Sequence, residues 1–461
     1  MKAVGARLPR YDGIAHVTGR TKYVADWSVQ GMLACKPLRS PHHSARILSI
    51  DTSKAEAHPG VFAVITHKDI PKNIVGHLAA LGVPPDEPYL AEGEVRFKGQ
   101  LIGGVAAVDE ATAHEAVDLI DVKYEVREPF LDIRRAFDPG QPQLTDKGNV
   151  FFYDPYDHRK VTKGDVDAAF EKADVIVKGS YRPSAIEQAP IEPQGCLVVP
   201  ESDGRLTVYT CTQAMYFTMG VLAEHLQRTP GSIKLVGGTV GGGFGGKVDS
   251  ASEPLAALLA LKARRPVRWM FTREEEMLAA SVRASWHVEM ADALTKDGWI
   301  LGRKVLTLHD AGAYTRFSSY GATKHSFHLA GAYTVPAMRT QAYVIWTNHV
   351  PTTAMRGFGV TSASFAIELQ MTRNAAVLGI DPWEFRLKNA NRPGDLMPTR
   401  KPLEDPSTID TIRACAEAVG HPLSATYRDM KNDQRSGEWL PPHLVDQEAD
   451  AKLGDPKEAA R

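Results

Sequence analysis

GGTVGGGFGGKVDS, residues 237–250, sets seven glycines, one phenylalanine and one lysine in fourteen positions. Glycine has no Cβ and takes positive φ without steric cost, so a run this dense lets successive backbone N–H groups turn toward one point. A nucleotide P-loop follows its Gly-Lys pair with a serine or threonine whose hydroxyl reaches magnesium; here Val248 follows Gly246 and Lys247, and that hydroxyl is missing. A dinucleotide fingerprint needs a strand before the glycines, a long helix after them and an acidic residue about 20 positions on. Residues 233–236 have strand composition, but the glycines are too dense to enter a helix at once and Asp249 comes far too early. Two readings stay open from residue types alone: a glycine-rich turn with no ligand, or a concave nest for an anion with Phe244 packed at or lining an adjacent cavity.

Upstream of the loop, residues 20–137 alternate strand-like runs with helical ones, as in VFAVIT (61–66), LIGGVAAVDE (101–110) and ATAHEAVDLIDVKYE (111–125). Helical spacing over 111–119 leads into Val122 and Tyr124 on one strand face. Turn-rich DPGQPQ (138–143) and FYDPYDHRK (152–160) follow as a linker, which places a boundary near residue 145. Beyond it, Asp165 is suited to cap a short helix before a strand at 175–181, and CLVVPESDGRLTVYT gives strand, turn and strand. After the glycine loop come a helix over 253–262, the strand RRPVRWMF and the short helix REEEMLAA. The clearest helix spans 362–379, with Phe365, Leu369 and Ala376 on one side and Gly379 as its stop; DPWEFRLKNA continues as a second helix with Pro382 in its first turn. The class is α+β, with an α/β domain over 1–145, a second domain over 146–425 and a polar tail at 426–461 too poor in apolar residues to build a core. That tail is expected to be disordered or to wrap a partner.

The charge balance excludes some partners. With 54 basic and 55 acidic residues spread without long single-sign runs, the chain has no electrostatic footprint for nucleic acid or an anionic membrane. The apolar stretch at 254–263 falls well short of the roughly 20 residues a bilayer span needs, and MKAVGARLPRYDGIAHVTGR has no uninterrupted apolar core of a signal peptide, so a cytoplasmic protein with no membrane span is expected. Cys35, Cys196, Cys211 and Cys415 are far apart and are expected to be reduced, buried thiols rather than cluster or zinc ligands.

The loop TVGGGFGGK (239–247), together with TTAMRGFG (352–359), resembles the molybdenum-binding subunit of the xanthine oxidase family, the molybdenum hydroxylases. The resemblance continues in order through LPRYDGIAHVTGRTKYVADW (8–27), LRSPHHSARILSIDTSKAEAHPGVFAVIT (38–66), GDVDAAFEKADVIVKGSY (164–181), IEPQGCLVV (191–199) and DPWEFRLKNANRPGD (381–395). It implies a hammerhead-like α/β domain followed by the first part of a molybdopterin-binding domain. The implied cofactor is molybdenum–molybdopterin, in bacteria usually the cytosine dinucleotide form, with no direct protein ligand to the metal. Gly242, Gly243, Phe244 and Gly245 then lie beside the pterin and metal, and Gln213 resembles the glutamine that hydrogen-bonds an oxo group. Met355, Arg356 and Gly357 resemble the second cofactor segment, and an arginine fork independently suits phosphate or oxo oxygens. Gln213, Phe244 and Arg356 are the implied catalytic set. Val360, Thr361 and Ser362 depart from the family's usual residues there, so the local cofactor hydrogen bonding is expected to differ from the family's.

Phe244, Val248, Lys324 and Phe358 are the implied substrate pocket. Purine-oxidising relatives carry a glutamate after the loop lysine; Val248 cannot accept that hydrogen bond, which argues against xanthine. Lys324 falls where those relatives carry a substrate-orienting arginine, and it is either a carboxylate-holding cation or a surface lysine. No cysteine stands in MRGFG, as the carbon monoxide dehydrogenase branch would require. The second pterin loop and the catalytic glutamate of single-subunit relatives have no counterpart here, so the chain is expected to be half of a split subunit whose partner half carries that base. A [2Fe-2S] subunit and an FAD subunit are expected to carry electrons away. The implied reaction inserts water-derived oxygen at an electron-poor carbon of an aromatic N-heterocycle such as nicotinate. Aldehyde oxidation, reductive dehydroxylation of 4-hydroxybenzoyl-CoA and a non-catalytic scaffold are the alternatives.

Overall fold

A computed structural model of the chain describes residues 4–76, 78–79, 82–151 and 158–424. The α+β chain forms two compact units: Met1–Pro129 with Glu187–Val282 and Asn348–Thr353, and Phe130–Ile186 with Arg283–Thr347 and Ala354–Arg461.

The first unit is built on a seven-stranded mixed sheet in the order Ile233–Gly237, Leu206–Thr210, Gly195–Pro200, Val267–Met270, Leu33–Arg39, Leu101–Ala107, Val61–Thr66. Leu33 pairs with Val267 in parallel, so strands more than 200 residues apart in sequence become neighbours. Helix Glu253–Ala263 packs on this sheet and buries every residue from Glu253 to Ala260. Its alanines and leucines are apolar all round, as a helix sunk in a core must be. Leu255, Leu259, Leu197, Val198, Leu206 and Trp269 form the centre of that core. A three-stranded sheet of Glu94–Val95, Ala45–Asp51 and Asp121–Val126 completes the unit.

The second unit holds a five-stranded sheet in the order His158–Lys163, Ala337–Trp346, Ile300–Gly312, Trp286–Leu294, Val175–Tyr181. Asp165 caps helix Val166–Glu171 by accepting from the Ala168 N–H at 3.0 Å, as its residue type suggests. The helix of the 362–379 stretch runs Val360–Leu378 and ends on Gly379 at φ +67°, whose N–H reaches back to the Ala375 and Ala376 carbonyls. Its buried face differs from the expected one. Phe365 and Leu369 point outward, and Ala376 is exposed as well, whereas Ala363, Ala366, Ile367, Gln370, Met371 and Asn374 are buried. Small side chains let this helix approach the sheet closely, and its buried amides are fully engaged: Gln370 donates to the Val177 carbonyl and to Asn374, and accepts from the Tyr181 hydroxyl. Asn374 in turn donates to Asp292, which is paired with Arg303 at 2.7 Å, both side chains wholly shielded from solvent.

Two further expectations change. The stretch at 152–160 is not linker throughout, because a strand begins at His158 and pairs with Ala337–Trp346. Cys415 is exposed, on the outer side of helix Thr408–Ala418, while Cys35, Cys196 and Cys211 are free and buried. Residues 152–157 and the 426–461 tail lie outside the described residues.

Candidate functional site

In the first unit the glycine loop continues from strand Ile233–Gly237, and Gln213 stands between strand Leu206–Thr210 and helix Met215–His225. The two are laced together. The Gln213 N–H donates to the Lys247 carbonyl at 2.8 Å, and Gln213 Oε1 accepts from the N–H groups of Gly245 at 2.9 Å and Lys247 at 3.3 Å. Two N–H donors fix that atom as oxygen, which leaves Nε2 as the donor end of the carboxamide. A Cβ on Gly243 would lie 2.4 Å from Gln213 Oε1, so only glycine allows this approach. Gly242, Phe244 and Gly245 take φ of +98°, +51° and +102°. Left-handed backbone is costly for phenylalanine, and residues held this way concentrate at functional sites. The Phe244 ring lies over Gly242 and remains 48% exposed, and Val248 is half-buried.

Beneath the loop, Lys247 is buried and its ammonium meets Glu192 at 2.8 Å. Glu192 also accepts from the Gly241 N–H at 2.7 Å and the Val24 N–H at 3.2 Å. Asp249 accepts from the Ser281 hydroxyl and, at 2.9 Å, from the Thr353 hydroxyl. Burial pushes the nearby Cys211 thiol up to about 12, so it is inert at neutral pH. Glu192 was missed in the sequence. A lysine in an otherwise apolar, glycine-dense loop asks for a counter-charge, and the acid in IEPQG was the available signal.

In the second unit the segment Met355–Gly359 leads into helix Val360–Leu378. Gly357, Phe358 and Gly359 all have positive φ, and the Phe358 N–H returns to the Met355 carbonyl at 2.5 Å. Gly359 is required by contact as well as by φ, since a Cβ there would lie 2.5 Å from the Gly321 carbonyl oxygen. Arg356 is exposed and Met355 half-buried. The Phe358 ring lies 5.2 Å from Tyr320, and the Lys324 ammonium sits 5.7 Å from the same Tyr320 ring. Lys324 is thus one aromatic ring away from Phe358, on helix Ser318–Phe327. His325, one residue on, is fully buried and hydrogen-bonds through Nδ1 to the Gly359 carbonyl at 3.1 Å. Trp286 lies between His325 and His309, its centroid 4.3 and 4.1 Å from theirs. Burial lowers His325 to about 4 and His309 to about 3, so both rings are neutral at physiological pH.

The loop thus sets positive-φ Gly242, Phe244 and Gly245 beside the Gln213 carboxamide, and no cluster of His, Cys, Asp or Glu that could hold a metal occurs among the described residues. Residues 145–390 match the molybdopterin cofactor-binding domain, and residues 18–128 match the a/b hammerhead domain of aldehyde oxidase and xanthine dehydrogenase. The chain belongs to the xanthine oxidase family of molybdenum-binding subunits. It is 33% identical over 418 residues to the nicotinate dehydrogenase large molybdopterin subunit of Eubacterium barkeri, covering 90% of this chain and 96% of that one. It is 36% identical to a probable xanthine dehydrogenase subunit from Bacillus subtilis, over 84% of this chain and 51% of that one. Among solved structures it resembles the aldehyde oxidoreductase of Desulfovibrio gigas with a TM-score of 0.84 and 30% identity, covering 92% of this chain and 48% of that chain. The chain therefore spans about half the length of the Bacillus and Desulfovibrio proteins and nearly all of the Eubacterium subunit. No described helix is long and apolar enough to cross a membrane.

Proposed function

We propose that this chain is the cofactor-bearing half of a molybdenum hydroxylase that inserts water-derived oxygen into an aromatic N-heterocycle of the nicotinate type. The observation that carries this reading is Gln213, whose Oε1 is consumed by the loop and whose Nε2 is left to donate beside a cradle where Gly243 has no room for a side chain. These residues fit molybdopterin, and the cytosine dinucleotide is the form we propose for it. When bound, the molybdenum–molybdopterin group supplies the two-electron oxidation and oxygen transfer for which the chain's own side chains have no equivalent. Gln213 would donate to it, and the N–H groups of Gly242 and Gly243 would line it, with Gly245 holding Gln213 in place. Arg356 and the backbone of Met355 and Gly357 bind its oxygens. By the resemblance, Phe244 would offer a flat apolar face to an aromatic substrate, as would Phe358, and Lys324 would attract a carboxylate. A glutamate on a partner half would take the proton of the reacting water, and [2Fe-2S] and FAD subunits in the cytoplasm would carry the electrons away.

The nicotinate class is supported by the Eubacterium relative of nearly equal span and by the cation at Lys324. Val248 offers no acceptor for a purine. Aldehyde oxidation is the second reading, favoured by the likeness to the Desulfovibrio enzyme. The test is to purify the complex, measure molybdenum and released CMP per chain, and follow dye reduction with nicotinate, aldehydes and xanthine. Nicotinate-dependent reduction with stoichiometric molybdenum is expected. An intact complex without molybdenum sinks the enzyme reading, and rapid xanthine turnover sinks the substrate class.

A further inference from the structure

Both ends of the glycine loop converge on one buried carboxylate. Glu192 Oε2 accepts from the Gly241 N–H at 2.7 Å and from the Lys247 ammonium at 2.8 Å, while the Glu192 N–H donates to the Gly241 carbonyl at 3.2 Å. Glu192 Oε1 takes the Val24 N–H. The side chains of Lys247 and Glu192 are only 2% and 7% exposed. Contact is close enough that a Cβ on Gly241 would lie 2.4 Å from the Glu192 Cβ. From Lys247 the connection continues through its backbone N–H and carbonyl to Gln213.

A buried ion pair is a weak source of net stability, because desolvation of both charges offsets their attraction. What it does impose is position. The glycines between Gly241 and Lys247 have more backbone freedom than any other residue type, and without anchors at both ends the loop would sample many shapes. We propose that Glu192 is a positioning residue. Its carboxylate, acting through Gly241 and Lys247, holds the loop and Gln213 in the one arrangement that receives the molybdopterin group, and removing its charge releases the cofactor while the fold persists. The proposal rests on the molybdenum reading above.

The test uses Glu192→Gln, Lys247→Met and the double variant in the 461-residue chain, each isolated with its partner polypeptides. Bound molybdenum and CMP are measured, and deuterium exchange of the 241–248 amides is followed on the cofactor-free chain. In Glu192→Gln, loop exchange is expected to quicken at least about tenfold relative to strands Gly195–Pro200 and Leu206–Thr210, with a fall of similar size in bound molybdenum. The double variant, with no unpaired buried charge, is expected to melt closer to wild type than either single variant yet to keep the fast loop exchange. Wild-type exchange and wild-type molybdenum content in Glu192→Gln overturn the proposal. Should that variant not fold, Glu192→Asp is measured instead; it keeps the charge but shortens the reach, and an unperturbed loop in it overturns the proposal equally. A wild-type chain with a protected loop and no molybdenum sinks the cofactor reading alone.

Discussion

A primary amide has one acceptor and one donor end, and at Gln213 the acceptor end is spent on Gly245 and Lys247. Two substitutions separate the roles. Gln213→Ala removes the acceptor, leaving two loop N–H groups to water, and is expected to cost about 1 kcal/mol in denaturant unfolding along with most of the turnover. Gln213→Glu keeps an acceptor and removes the donor, so loop exchange should stay close to wild type while kcat falls about 10²–10³-fold, the usual loss for one preorganised donor. Equal exchange and equal turnover in the two variants would refute the division of labour. Lys324 belongs to this scale too. Its ammonium is partly exposed above Tyr320, so Lys324→Met should raise KM for a carboxylate-bearing heterocycle about tenfold and leave KM for the neutral carboxamide analogue unchanged, as steady-state kinetics with the two substrates would read.

Helix Val360–Leu378 shows where reading a helix from its large apolar residues misleads. Phe365 and Leu369 repeat at helical spacing, yet the side that packs is marked by alanines and amides. Packing distance decides this: small residues allow close approach to strands, and polar ones are tolerated only when every donor and acceptor finds a partner, which no local pattern reveals. Leu369→Gln is therefore expected to change unfolding free energy by no more than about 0.5 kcal/mol. Gln370→Leu should cost about 2–3 kcal/mol by orphaning the Val177 carbonyl and the Tyr181 hydroxyl, and chemical denaturation distinguishes the two. The helix's N-terminal turn is held by a neutral histidine, with a definite pH consequence. His325 has its folded pKa lowered from 6.5 to about 4, so between those values the unfolded chain binds a proton that the folded chain does not. Stability is then whole above pH 6.5 and is lost as pH falls toward 4, by up to about 3 kcal/mol for this one group. His309, lowered to about 3, acts with the same sign. Replacing His325 by glutamine should flatten the fall of Tm between pH 6.5 and 4, and an unchanged slope would remove His325 from the account.

Across the whole chain, what could be read in advance was local and chemical. The helix stop at Gly379 and the cap at Asp165 each follow from residue type and short spacing. What could not be read was long-range. Nothing in LACKPLR announces that it will pair in parallel with VRWM, or that Glu192 will reach Lys247, because such pairings are chosen by competition among all strands and charges in the folded chain. The same limit applies to completeness of the site. Among the acids around the loop, Glu187 keeps a buried carboxylate oxygen without a hydrogen-bond partner, whereas Glu192 is held by Lys247 and Asp249 by Ser281 and Thr353. A carboxylate so held accepts hydrogen bonds and is poorly placed to take a substrate proton. On the function proposed above, the base is a glutamate of a partner half, and the chain spans 48% of the Desulfovibrio enzyme. The expected outcome is that the chain produced alone gives no dye reduction with any substrate class, and that co-production with a polypeptide equivalent to that partner half yields turnover together with bound molybdenum. Replacing the partner's base by glutamine should then abolish turnover and leave molybdenum in place, whereas turnover by the chain alone would place the base among its own residues.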